Sequence, residues 1–126
     1  MSENHLEKVL FVTDKGEVAE AVLVGLEKSL CIQEAKEEFK ELKLRPAGMK
    51  VLHWFMQQHP EQFSNRRVVA FGDYFYVQRQ TGVFHSFAGP TGEVLFESEF
   101  RKWHPDDRFL GFVIRDKPQP EMFRMC

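Results

Sequence analysis

The chain lacks any long apolar run. No stretch approaches the roughly 18 consecutive apolar residues a membrane helix needs, and the opening Ser2-Glu3-Asn4-His5 is polar where a secretory leader turns apolar. Cysteine is scarce. Cys31 and Cys126 are the only two, too few and too far apart for the disulfide framework of a small secreted domain. Cys31 is expected to pack as a small hydrophobe on an apolar face, Cys126 to be an exposed thiol, and the protein to reside in a reducing cytoplasm. An excess of charge of one sign is also missing. Seventeen Lys and Arg against nineteen Asp and Glu leave a net charge of −2, a weak field for a phosphate backbone or an anionic membrane. Neither nucleic acid nor membrane is an expected partner.

Catalytic and ligand signatures are equally sparse. His5, His53, His59, His85 and His104 include no pair at helical i,i+4 spacing, and no Cys-x-x-Cys occurs, so no metal or other cofactor is expected. Gly89-Pro90-Thr91-Gly92 is glycine-rich, but a strand pattern follows it where a phosphate cradle requires a helix; it reads as a hairpin loop. Ser86, between Phe84 and Phe87, sits in no Gly-x-Ser-x-Gly elbow. These absences point away from an enzyme.

What is present is an ordinary globular balance, 43% apolar and 29% charged, with thirteen Phe beside two Tyr and two Trp. A chain of 126 residues is one domain, able to bury about two-thirds of its unfolded surface without a metal or disulfide staple. Its character changes near residue 65. Residues 1–65 carry eleven acids and eight bases, seven of them Lys; residues 66–126 carry eight acids and nine bases, seven of them Arg, and nine of the Phe.

The part up to about residue 65 reads mainly as helix, after a short strand at Val9–Thr13. Val18, Val22 and Leu26 recur at four-residue steps with Ala21 and Leu30 beside them, a helical stripe. The competing pattern is a hairpin, with Asp14-Lys15-Gly16 turning between Val9–Thr13 and Glu17–Val24. Glu34–Leu42 is a strong helix former with Ala35, Phe39 and Leu42 on one stripe. Pro46 suits the first turn of a third helix, whose apolar face is Met49, Leu52, Trp54, Phe55 and Met56 and which stops at His59-Pro60.

Residues 66–115 read as an antiparallel meander, and 116–126 as an irregular tail. Val68–Phe71, Tyr74–Gln80, Val83–Phe87 and Val94–Phe100 are strands separated by Gly72-Asp73, Thr81-Gly82 and the loop 88–92; Phe109–Ile114 is the last. The expected fold class is α+β, with two or three N-terminal helices packed on one face of a four- to five-stranded antiparallel meander sheet. Alternation places Phe75, Val77, Phe84 or Val83, Val94, Phe96 and Phe100 in the core beneath the helices. Tyr74, Tyr76, Gln78, Gln80, Leu95, Glu97 and Glu99 fall on the opposite face.

Two tyrosines on an open sheet face suit protein docking or simple cross-strand pairing. Arg66 and Arg67, at the helix-to-sheet junction, and Arg79 complete the candidate protein-binding residues, Arg66 and Arg67 being expected to serve a partner and not the fold. The strand Phe109–Ile114 is apolar on both faces, so it must be covered, flanked or paired with a second copy. A twofold homodimer through a sheet edge or the tyrosine face is one expected association.

A second function class needs weighing. Helices packed into a curved antiparallel sheet make a cone, and in this order of elements the chain resembles the cystatin-like/NTF2-like architecture. That resemblance implies a small-molecule-binding or enzymatic pocket into which His85, Tyr76 or Asp73 would point. The densest polar run, His104-Pro105-Asp106-Asp107-Arg108, could supply an acid–base centre, although Pro-Asp-Asp is also turn chemistry. The alternative pocket residues are thus His85, His104, Asp106 and Asp107. The expectation that best fits the whole chain is a small accessory protein acting by binding another protein, of the toxin-immunity, phage or mobile-element inhibitor or regulator kind.

Overall fold

A computed structural model describes residues 5–25 and 31–116. It begins with the hairpin. β1 (His5–Val12) pairs antiparallel with β2 (Val18–Gly25), with Val12 opposite Val18 and Phe11 opposite Ala19. In the turn, the Thr13 hydroxyl accepts from the amides of Lys15 and Glu17, and Gly16 adopts φ 79°, a conformation glycine takes without strain. The helix expected here does not form. A four-residue step is also two strand periods, so Val18 and Val22 share a face in either conformation. The β-branched run decides for strand, because β2 is buried on both sides: Ala19, Ala21 and Leu23 enter one core, Val22 and Val24 the other. Leu26 and Leu30 lie outside the described residues.

After α1 (Ile32–Leu42) come the two-residue strand β3 (Arg45–Pro46), α2 (Met49–Gln58) and a 3₁₀ turn, Pro60–Phe63. The sheet continues with β4 (Val68–Phe75), β5 (Phe84–Ala88), β6 (Val94–Ser98) and β7 (Arg108–Asp116). The fold is α+β, with two helices and a mixed seven-stranded sheet of order β1-β2-β7-β4-β5-β6, β3 pairing with β7. It is no simple meander: β7 returns to the centre, antiparallel to β2 but parallel to β4.

That central place explains why Phe109, Leu110 and Gly111 are apolar and buried, although Val113 further along is exposed. A strand buried on both faces needs no polar alternation. The helices therefore do not share one face, as the sequence suggests. The α2 residues Leu52 and Phe55 pack with Phe11, Leu23, Ala70 and Leu110; the α1 residues Ile32, Ala35 and Phe39 pack on the opposite face with Val22, Val24, Val69, Phe71 and Phe109. A sheet covered on both faces, opening with a hairpin, departs from the cone architecture.

Local signals fared unevenly. α2 does stop before Pro60, as expected. It starts at Met49, not at Pro46, which instead pairs with Gly111 in β3. The Asp73 carboxylate accepts from the Met49 amide at 3.0 Å and so caps α2. Gly72-Asp73 does not turn the chain; β4 runs through it with an irregularity between Ala70 and Phe75. Gly72 is there for close approach, since a Cβ at that position would sit 2.6 Å from the Pro46 carbonyl oxygen. The turn falls later, in the loop 76–83, where Arg79 and Gly82 take positive φ.

Candidate functional site

The aromatic residues collect at one end of the outer strands. Phe75, Phe84 and Ser98 lie in one row across β4, β5 and β6, with Tyr76 just beyond Phe75 and Phe100 just beyond Ser98. Tyr74 and Tyr76 meet edge to face at 5.9 Å, and Phe75 meets Phe96 at 5.0 Å. Tyr74 is 63% exposed, Tyr76 75%, Phe96 42% and Phe100 78%. Phe96 and Phe100 are thus surface residues, contrary to their expected place in the core. α2 packs against β1, β4 and β5, and β6 is the margin strand beyond them. The tyrosines stand on the surface as expected. Arg79, also exposed, is on the adjoining loop.

The two edges of the sheet differ. On β1, the Gln58 side chain from α2 exchanges both hydrogen bonds with the Val12 backbone, and His59 Nε2 donates to the Leu10 carbonyl. That stretch is closed by the protein's own side chains. On β6, Glu99 donates its amide to Val83, so alternation turns the backbone groups of Val94 and Phe96 to the outside. Among the described residues nothing covers them. Glu93, Glu97 and Glu99 punctuate this edge; Glu97 pairs with Arg101 at 3.0 Å.

Arg66 and Arg67 are not free loop side chains. Arg66 grips the Glu7 carboxylate with two bonds of 2.7 and 3.0 Å and also holds the side chain and carbonyl of Gln62. Arg108 adds a third bond to Glu7 at 2.9 Å. The Arg66 hydrogen bonds, supported by Arg108, overcome the opposing effect of burial and hold the Glu7 carboxyl at about 2, from an ordinary 4.5. Arg67 reaches buried Asp107 through Nε and Nη2. Arg67 and Arg101 both stack on Trp103, at 5.2 and 5.1 Å from its ring centroid. These pairs tie β1, the 3₁₀ turn, β4 and β7 together. Nothing in the doublet Arg66-Arg67 announces this, since the partners are 59 and 40 residues away.

The alternative pocket residues do not converge. His85 is buried, with its Nδ1 donating to the Asp73 carbonyl at 2.8 Å and its Nε2 unpartnered. Burial, and then the nearby Lys36 charge, push its pKa below the usual histidine value. His104 and Asp106 sit in an exposed turn, Nδ1 accepting the Asp106 amide at 3.1 Å. Asp107 closes that turn by accepting from the His104 amide. Among the described residues no hydrogen bond or ion pair joins His85 to this turn, and no group of three or more His, Cys, Asp or Glu is placed to hold a metal. Cys31 is the half-buried N-cap of α1, not a core residue, its amide donating to Glu34; Cys126 lies outside the described residues. Among the described residues, no helix is long and apolar enough to cross a membrane.

Comparisons with models of protein families, with curated proteins and with solved structures find no match to this chain.

Proposed function

We propose that this protein acts by binding another protein, and that the aromatic end of β4, β5 and β6 is the surface that docks it. The observation that carries the proposal is the exposure of aromatics around one end of the sheet, Tyr74 and Tyr76 on one face, Phe96 on the other and Phe100 just past β6, next to a strand edge whose backbone is uncovered. Rigid aromatics give contact area at little entropic cost and are the usual anchors of interfaces. An open edge adds main-chain hydrogen bonds for an incoming strand. Arg79 remains a candidate contact at the rim, whereas Arg66 and Arg67 belong to the framework. The exposed His104–Asp106 turn and the engagement of Asp107 by Arg67 favour binding over catalysis.

A second copy is a weaker fit to this surface. Twofold antiparallel pairing of β6 about Phe96 would set Glu93 of each copy opposite Glu99 of the other, with the two Glu97 close by. Like charges placed opposite each other oppose strand pairing. A different protein, supplying an apolar strand with basic flanks, suits the edge better.

The test is paired affinity capture from the native host with the wild-type chain and with a Tyr76→Ala/Phe100→Ser variant. Both side chains are exposed, so stability should change by less than about 1 kcal/mol. The expected result is a specific protein held by the wild type and lost by the variant. A partner retained equally by both would refute the assignment of the surface.

A further inference from the structure

We propose that the groove between α1 and the sheet is a binding site for a small apolar carboxylate. The groove has a volume of about 270 Å³ and is lined by Phe39, Leu44, Pro46 and Phe71, with Lys36 and Lys40 along one flank. That volume is just below the usual range for small-molecule sites, roughly 300–1,000 Å³, and suits a short alkyl or aryl chain better than a nucleotide. The lining offers one apolar surface and one kind of charge. A ligand with an apolar body and a single anionic end matches both.

Charge sorting on α1 supports the assignment. At about 100° per residue, Glu34, Glu37, Glu38 and Glu41 gather on the arc away from the buried stripe of Ile32, Ala35 and Phe39. Lys36 and Lys40, one turn apart, form a separate flank beside the groove. Among the described residues neither lysine is in an ion pair, as is true of several other exposed lysines. The flank therefore presents two ammonium groups one helical turn apart beside an apolar floor. A carboxylate held between the two ammonium groups pairs with both, while its chain lies over the half-buried Leu44 and Pro46 with Phe39 and Phe71 as the floor.

The probe is octanoate, titrated into the full-length isotope-labelled protein and followed by amide chemical shifts, with 1-octanol as the neutral control. Saturable shifts are expected at Phe39, Lys40, Leu44 and Phe71, with octanol binding more weakly. Two exposed ion pairs of ordinary size together amount to about a tenfold change in affinity, so Lys36→Gln/Lys40→Gln should weaken octanoate by about that factor. Tyr76→Ala, at the aromatic end, should leave it unchanged, which separates this site from the docking surface. Shifts that are absent at millimolar octanoate, centred elsewhere, or equal for octanol and octanoate would each overturn the proposal. The octanol comparison needs no variant, so a misfolded double substitution cannot rescue the idea.

Discussion

Replacing Glu7 by Gln should destabilise the protein by about 2–3 kcal/mol, an effect that no local feature of β1 would suggest. The depression of Glu7 from 4.5 to about 2 would be worth about 3.4 kcal/mol at 1.36 kcal/mol per unit if water were excluded. Water is not excluded: 38% of the Glu7 side chain is accessible, and solvent screening reduces the contribution to about 1.5 kcal/mol. The substitution also leaves two guanidiniums uncompensated, with Arg66 only 13% and Arg108 only 15% exposed. Stranded charges of that kind bring the cost up to about 2–3 kcal/mol. Urea unfolding followed by the fluorescence of buried Trp103 measures it directly. The pH dependence has a definite sign. A carboxyl whose folded pKa is depressed contributes stability that is present above pH 4.5 and lost as pH falls towards 2. Wild type and Glu7→Gln should therefore differ most near neutrality and converge through that window. A loss below about 0.5 kcal/mol, the range of an ordinary surface change, or parallel pH profiles, would refute the argument that this network holds the fold.

Three further outcomes follow from the same geometry. Asp107→Asn should cost about 2–3 kcal/mol and alter Trp103 emission, because Arg67 loses its carboxylate while still stacked on the ring; unchanged urea midpoint and emission would count against the network. Gly72→Ala should cost at least about 2 kcal/mol, since its Cβ would meet the Pro46 and Ala47 backbone and not a movable side chain; thermal unfolding within a degree of wild type would show that the contact relaxes. Sedimentation in reductant should give a mass near the 14.8 kDa of one chain up to sub-millimolar concentration. A dimer abolished by Tyr76→Ala would assign the aromatic surface to a second copy instead.

Features set by near neighbours in sequence were legible in advance. The Glu34–Leu42 helix, the stop before Pro60 and the hairpin loop at Gly89–Gly92 all rest on local chemistry, and the structure has them. The features that escaped depend on distant partners. Val18 and Val22 satisfy helix and strand periods alike, and only burial of β2 from both sides distinguishes the two. Gly72 has the composition of a turn but serves a close approach to residues 46 and 47, which no spacing announces. Pro46 carries a helix-start signal that pairing with Gly111 overrides. At the candidate site, the exposure of Tyr74 and Tyr76 followed from strand alternation. That of Phe96 and Phe100 did not, because alternation says which face a residue is on, not whether a helix reaches that far. The roles of Arg66 and Arg67 were hidden for the same reason: their carboxylates come from β1 and from the turn before β7.

The most direct test of the docking surface is site-specific photo-crosslinking in the native host. A photoreactive side chain placed at Tyr76 of the full-length protein is compared with the same group at exposed Lys43, the C-terminal cap of α1. The account predicts one discrete protein adduct at position 76, absent at position 43 and lost when Phe100→Ser is added. No adduct at position 76, or the same adduct at both positions, would contradict it.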